Sequence, residues 1–345
     1  MRSERHSRID FGGKSRIAAE VWRRFGGDVR NYIEPFFGSG AALLSRPQPF
    51  DGVETVNDLD GLVANFWRAL QHDPEQVARY ADWPVNENDL TARHIWLVNR
   101  KDSLQLRLEG DPDFYDAKIA GWWCWGMGCW IASGWCAGNG PWQSEGGLLV
   151  NGAKNGVNRQ RPHLGHMGMG VNRKLPHLGN AGRGVNRGSV RQSCAERTAS
   201  LIAYMQGLAD RLRCVRVCCG DWQRVCGSKS TLKKFSPTAV FLDPPYAHSE
   251  RDTRCYRVEM ATADEVRDWA VAHGDDPDLR IALCGYDGEH EMPDGWSEWA
   301  WKTSGGYGHQ GNGRGKDNAH RERVWFSPYC VGEPMPLLEG MMEGR

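Results

Sequence analysis

Asp243-Pro244-Pro245-Tyr246 sets a carboxylate, two imino acids and an aromatic ring in consecutive positions. The apolar run ahead of it, Ala239-Val240-Phe241-Leu242, reads as a buried strand, so the motif stands where a strand ends in a rigid, charged turn. Each proline fixes its own φ and biases the residue before it toward extended geometry. Neither has an N–H, which leaves neighbouring carbonyls available to an outside donor. A carboxylate and a carbonyl can accept from a flat, amino-bearing ring while the tyrosine stacks on its face. A plain Pro-Pro turn leaving a sheet accounts for the same residues, so the rest of the chain has to decide.

Three other strand ends carry chemistry. Glu34-Pro35-Phe36-Phe37-Gly38-Ser39-Gly40 follows a short strand, Asn31-Tyr32-Ile33, and precedes a helix starting at Ala41. Its glycines let a ligand approach bare backbone and leave helix N–H groups free to meet it. No Lys-Ser/Thr pair follows, which argues against a triphosphate-binding P-loop. The strand Val53 to Val56 ends in Asn57-Asp58, where a doubly wound sheet places a carboxylate for ribose hydroxyls. Asp60 is the better N-cap for the helix that starts near Gly61. Asp221-Trp222, after the strand Val215 to Cys219, offers an acceptor beside a ring, suited to an adenine amine and face. The glycine loop, Asp58, Asp221 and Asp243 thus fall at the carboxyl ends of four expected strands, where α/β sheets bind ligands.

The elements that must position them form an α/β pattern in two flanks. Ile17, Ala18, Val21, Trp22 and Phe25 recur at helical spacing and stop at Gly26-Gly27; Leu62, Val63, Phe66, Trp67 and Leu70 mark a second helix. Residues 73–121 read as mostly helical, whereas Gly121 to Trp142, crowded with Trp, Cys and Gly, fits no regular period. The α/β pattern resumes at Glu196, with Leu201, Tyr204, Met205, Leu208 and Leu212 on a helix face. Thr262 with Glu265 forms a capping box expected to open a helix through Trp269. Arg280 to Cys284 reads as a buried strand, and Trp296 to Trp301 with Arg323 to Phe326 as a closing hairpin around the glycine-rich stretch 305–315.

Composition bounds the partners. The chain has 345 residues, 40% hydrophobic and 25% charged, as in soluble globular proteins. No apolar run spans a bilayer and the polar start lacks a signal-peptide core, so a cytoplasmic location, free of membrane, is expected. Eleven cysteines, an odd number scattered over a long chain, point to reduced thiols. Cys124, Cys129 and Cys136, with His163 or His166, lack Cys-x-x-Cys spacing, so packed thiols rather than a metal site are expected.

Formal net charge is zero, yet Gly146 to Ala195 holds no Asp or Glu while Lys154, Arg159, Arg161, Arg173, Lys174, Arg183, Arg187 and Arg191 fall there. The same stretch repeats: Gly-Val-Asn-Arg starts at Gly156, Gly170 and Gly184, with Pro-His-Leu-Gly at Pro162 and Pro176 in the same register. These units hold too few large apolar residues to bury a core, and their charge suits a polyanion.

Asp10-Phe11-Gly12-Gly13-Lys14, the Glu34-to-Gly40 loop, Asn57-Asp58, a long insertion, Gly220-Asp221-Trp222, Asp243-Pro244-Pro245-Tyr246 and Arg321-Glu322-Arg323-Val324-Trp325 together resemble the Dam-type (alpha-group) adenine-specific DNA methyltransferases. The resemblance covers roughly residues 9–72 and 196–328. At position 10 the family often carries an aromatic residue where this chain has Asp10, beside Phe11. The resemblance implies a Rossmann-like methyltransferase sheet with helices on both faces: a catalytic domain of 1–75 and 196–330, a target-recognition region of 76–195 and a tail of 331–345.

It further implies S-adenosyl-L-methionine as methyl donor and double-stranded DNA as partner. Lys14 would help hold the donor, Phe37, Gly38, Ser39 and Gly40 would frame its methionine end, and Asp58 would take its ribose. Asp221, beside Trp222, would take its adenine ring. Asp243, which also borders the donor, and the Pro244 carbonyl would accept from the target adenine's N6 amine, with Pro245 stiffening the turn and Tyr246 stacking on the flipped base. Arg159, Arg161, Arg173, Lys174, Arg183 and Arg187 would meet the DNA. The residues themselves leave open a cytosine-N4 or RNA-base amino-methyltransferase, and an inert DNA-binding protein on the same scaffold.

Overall fold

The computed structural model describes residues 13–130, 135–136, 142–145, 148–151, 194–227, 229–245, 253–301 and 322–331. A 3-10 turn, Gly13–Arg16, leads into α1 (Ala18–Phe25), β1 (Asn31–Glu34), α2 (Ala41–Leu44), β2 (Val53–Asp58) and α3 (Gly61–His72). Then come α4 (Pro74–Ala81), α5 (Glu87–Val98), α6 (Lys101–Gly110), α7 (Ala117–Cys129) and a hairpin of β3 (Trp142–Glu145) and β4 (Leu148–Asn151). The second flank comprises α8 (Cys194–Leu212), β5 (Val215–Cys219), α9 (Gln223–Cys226), α10 (Lys229–Lys233), β6 (Thr238–Leu242), α11 (Thr253–His273), β7 (Leu279–Tyr286), β8 (Ser297–Ala300) and β9 (Glu322–Phe326).

The chain folds as α/β, with a mixed seven-stranded sheet in the order β5-β2-β1-β6-β7-β9-β8 flanked by helices, compatible with a Rossmann-like fold. β1 pairs parallel with β6, Asn31 opposite Thr238, and β6 parallel with β7, Thr238 opposite Leu279. β9 runs antiparallel to both β7 and β8, which is the closing hairpin read from the tryptophan and valine pattern. Because β1 lies between β2 and β6, the strand order reverses there. The carboxyl ends of β1 and β6 flank the kind of switch point at which open α/β sheets take ligands.

The described residues separate into two compact units, one of Val56–Arg224 and one of Gly12–Thr55 with Val225 onward. In the second, Ile17 just ahead of α1, Val21 and Phe25 of α1, Ile33 of β1, Val240 and Phe241 of β6, Ile281 and Leu283 of β7 and Phe326 of β9 form the buried core. Gly26, at φ 79, ends α1 in a conformation that an L side chain adopts only with strain, as its place after the last apolar residue anticipates. Arg24 is also buried; its guanidinium lies 4.4 Å from the centre of the Phe326 ring, donates to Glu20 (2.8 Å) and reaches Ser297 (2.8 Å).

In the first unit α3, α4, α7 and α8 pack on one another around Leu62, Phe66, Trp67, Leu70, Val77, Ala81, Met205 and Leu212. Asp60 caps α3 by accepting from the Leu62 N–H at 2.9 Å, as read from the sequence. Asp73 and Asp116 cap α4 and α7 in the same way.

Two sequence expectations give way. The stretch from Gly121 is helical as far as Cys129: α7 buries Gly121, Trp123, Cys124, Trp125, Gly126 and Cys129, which lie all round the helix and leave no apolar stripe to read. Its glycines are packing contacts: a Cβ on Gly121 would run into Tyr80 and the Val77 carbonyl, and one on Gly126 into the Trp135 ring. The capping box at Thr262 does not open a helix; α11 begins at Thr253 and passes through it. Ala263, Val266 and Ala270 are buried on one face, and α11 packs on β7, so tertiary burial outweighs a local capping preference.

Candidate functional site

The second unit gathers charge at the carboxyl end of β6. Asp243 follows the last residue of β6, and Lys14 stands in the 3-10 turn ahead of α1. The Lys14 ammonium lies 3.2 Å from Asp243 Oδ1 and donates to Glu322 Oε2, at the start of β9, at 3.4 Å. The three side chains are 16%, 22% and 18% exposed, so this is a mostly enclosed cluster with an opening to solvent. Burial alone would lower the Lys14 pKa; the carboxylates of Asp243 and Glu322 outweigh it and raise the value above the ordinary lysine range. Burial raises the Glu322 carboxyl, with Lys14 opposing and Asp243 adding to the rise. The Trp301 ring, 7% exposed, sits with its centre 5.7 Å from the Lys14 ammonium. Beneath them the Cys284 thiol is buried and held neutral: burial is the largest cause of its raised pKa, and Lys14 opposes it.

The neighbouring strand end is built from backbone. Glu34, the last residue of β1, is buried and accepts from the Tyr32 hydroxyl at 2.8 Å. Burial and the Glu34 carboxylate raise the Tyr32 pKa well above normal, so the tyrosine stays protonated and keeps donating. Phe37 turns into the core at 2% exposure, and its carbonyl accepts from the Gly40 N–H at 2.8 Å. Gly38 at φ 45 and Gly40 at φ 67 both require glycine, and a Cβ on Gly38 would meet nothing within 4 Å. Bare backbone thus faces open space there. α2, which the loop opens, is a single turn, Ala41–Leu44. Pro244 is buried and Pro245 exposed, as a turn leaving the sheet surface requires; Tyr246 lies outside the described residues.

The first unit holds the other two strand-end acids. The Asp58 carbonyl accepts from the Gly220 N–H at 3.0 Å and the Asn57 amide donates to the Gly220 carbonyl at 2.8 Å, which ties the end of β2 to the turn before Asp221. One Asp58 oxygen accepts from the Asp60 N–H at 2.8 Å, so its carboxylate is aimed by an Asx turn. Asp60 in turn pairs with Lys101 at 3.0 Å. Asp221 is exposed and accepts from the Gln223 N–H at 2.8 Å, while Trp222 is 5% exposed and turned into the interior.

The structure therefore brings Lys14 to Asp243 and ties Asp58 to the turn that carries Asp221. Sequence reasoning assigned no role to Glu322 or Trp301 in this cluster. Their only signals were the resemblance of 321–325 to a terminal strand, for Glu322, and the hairpin expected from Trp296 to Trp301, for Trp301, since contacts across hundreds of residues leave no local pattern. Arg159, Arg161, Arg173, Lys174, Arg183 and Arg187 lie outside the described residues, as do the repeats around them. Among the described residues there is no group of three or more His, Cys, Asp or Glu that could hold a metal, and no helix long and apolar enough to cross a membrane. No family model matches the chain, and no curated protein matches it.

Proposed function

We propose that the chain is a DNA methyltransferase that uses S-adenosyl-L-methionine to methylate the N6 amine of adenine. The observation that carries this is Asp243, held by Lys14 at the carboxyl end of β6, next in the sheet to the β1 strand whose end bears the glycine loop. The mixed seven-stranded sheet flanked by helices is compatible with the Rossmann-like sheet that the family resemblance implies.

The residues suit such a donor. Open space at Gly38 admits a ligand to bare backbone, and Asp243, Glu322 and Glu34 supply negative charge toward a cationic one. Phe37, Gly38, Ser39 and Gly40 would hold its methionine end; the ribose role of Asp58 and the adenine role of Asp221 rest on the family resemblance alone. When bound, S-adenosyl-L-methionine supplies an electrophilic methyl group on a positive sulfur.

The exocyclic adenine amine is a poor nucleophile because its lone pair is delocalised into the ring. Asp243 accepts one of its hydrogens and the Pro244 carbonyl the other, which draws the nitrogen toward a tetrahedral shape and frees the lone pair. Lys14 acts through Asp243: its ammonium, 3.2 Å away, fixes where the carboxylate points. Tyr246 stacks on the base once it has left the duplex, a step costing a few kcal/mol that pocket contacts offset. No covalent protein intermediate is required; positioning and electrostatics carry the step.

Incubation with labelled donor and duplex DNA of mixed sequence tests the reading. Label in N6-methyladenine, lost in Asp243→Ala, is expected. Label in cytosine or in RNA would move the function to another amino group, and DNA binding without label would leave an inert scaffold.

A further inference from the structure

α5 and α7 pack against each other in the first unit and present an unusual set of side chains. Arg93 and Trp96 on α5, with Arg100 just beyond it, recur at i, i+3 and i+7, while Lys118 and Trp122 on α7 are one turn apart. Trp83, in the turn before α5, adjoins them. The cations sit on rings. Arg100 lies 3.7 Å from the centre of Trp96, Lys118 4.5 Å from Trp122 and 5.1 Å from Trp96, and Arg93 4.7 Å from Trp122 and 5.2 Å from Trp83. Trp96 and Trp122 meet edge to face at 5.1 Å. The result is one continuous ladder of alternating positive charge and indole.

Among the described residues none of these three cations is in an ion pair, whereas nearby Arg79 and Lys101 are paired with Glu75 and Asp60. Asp89 is taken by the Trp83 indole N–H at 2.9 Å, and Asp116 by the cap of α7. Arg93 is 6% exposed, and its Nη1 has no hydrogen-bond partner. A cation resting on a ring keeps its N–H groups, which a carboxylate would have consumed. The rings are also accessible: Trp83 is 47% exposed, Trp96 and Trp122 are half-buried, and Arg100 is exposed. Most donor edges are left over, in a chain of zero net charge, although one Arg100 N–H donates to the Trp96 carbonyl at 3.3 Å, and Trp83, with Arg93 5.2 Å from its centre, keeps the most open ring.

We propose that this α5–α7 face is a contact surface for a nucleic-acid strand, with Arg100 and Lys118 meeting phosphates and Trp83 stacking on an unpaired base. Phosphates match the free donors, and the open Trp83 ring matches a base, since bases stack on aromatic side chains irrespective of sequence. An acidic polypeptide would satisfy the cations but leave the Trp83 ring without a counterpart. The surface extends the proposed methyltransferase reading without depending on it.

Fluorescence anisotropy of the full chain with a labelled single strand and its duplex tests this, with labelled polyglutamate as the competing class of partner. Arg100→Gln combined with Lys118→Gln is expected to weaken binding of the single strand roughly ten-fold at low salt and to lower the slope of log K against log salt by about 1.4, two charges' worth. Trp83→Ala is expected to weaken it by a similar factor, with Trp83→Phe recovering most of the loss. Arg100→Gln alone, at an exposed position, serves if the double variant unfolds. Unchanged affinity and slope in a folded variant would overturn the proposal, as would preferential binding of polyglutamate. Donor binding, followed in parallel by calorimetry, reports on the methyltransferase reading separately.

Discussion

Lys14 shares one ammonium between two carboxylates, and that ratio governs what substitutions there should do. Asp243→Ala removes the acceptor aimed at the amine; preorganised acceptors and donors of this kind are worth about a hundred-fold or more in kcat. A loss of that size with donor affinity largely kept, measured by single-turnover label transfer, is the expected outcome. Lys14→Met leaves Asp243 and Glu322 side by side with no countercharge from Lys14. A loss of about 1–3 kcal/mol in urea unfolding is expected, and adding Glu322→Gln should return part of it, because the two changes touch one cluster. Strictly additive losses would mean that the shared pairing contributes nothing. Asp243 was legible in the sequence through its place after a strand, and Lys14 only through the family resemblance of residues 10–14, which implied a contact to the donor. The sequence left Glu322 and Trp301 without a role, because long-range contacts carry no spacing signal.

The strands and amphipathic helices were readable at the element scale wherever burial follows a simple period. β6 and β7, buried along most of their length, appear as apolar runs, and α3 shows its apolar stripe and its Asp60 cap. α7 was not readable, since it is buried on nearly every side and shows no apolar stripe, with Gly121 and Gly126 serving as contact points for Tyr80 and Trp135. Gly126→Ala should therefore destabilise the protein, against the usual gain of alanine over glycine within a helix, by about 1–3 kcal/mol of overpacking. A urea midpoint that stays put or rises would refute that packing role. Asp60→Ala removes both the cap on Leu62 and the pairing with Lys101, and about 1 kcal/mol should go with it in the same assay.

At the scale of the whole molecule, stability should depend on pH through His290. Its ring is 6% exposed and in edge-to-face contact with Trp325 at 5.1 Å, and among the described residues its ring nitrogens make no well-formed hydrogen bond. Burial, aided by the charge of Arg267 and opposed by Asp264, lowers its pKa to about 4. The unfolded chain therefore binds a proton that the folded chain refuses between an ordinary histidine value and about 4. His290 leaves stability untouched above the ordinary value and removes it progressively as pH falls through that window, by roughly 3 kcal/mol in all. His290→Phe should flatten this acid limb in thermal unfolding; an unchanged limb would assign it to other groups. If the basic repeats help to choose the target, deleting residues 152–193 should weaken duplex binding while donor binding persists, and loss of both would count against that division of labour.

What the sequence by itself determined is local. The order of strands and helices, the acidic or glycine-rich residues at strand ends, the zero net charge and the concentration of basic residues in Gly146 to Ala195 all follow from spacing and residue type. Only the tertiary structure decided which of these groups share a site. Strand pairing in the order β5-β2-β1-β6-β7-β9-β8 puts β9 beside β7, and Glu322, 308 residues from Lys14, comes within 3.4 Å of its ammonium. Packing of α5 on α7 likewise turned scattered tryptophans and arginines into one ladder. The physical reason is common to both: periodicity records which face of an element is buried, whereas partners across the chain are selected by the burial and charge balance of the folded molecule as a whole.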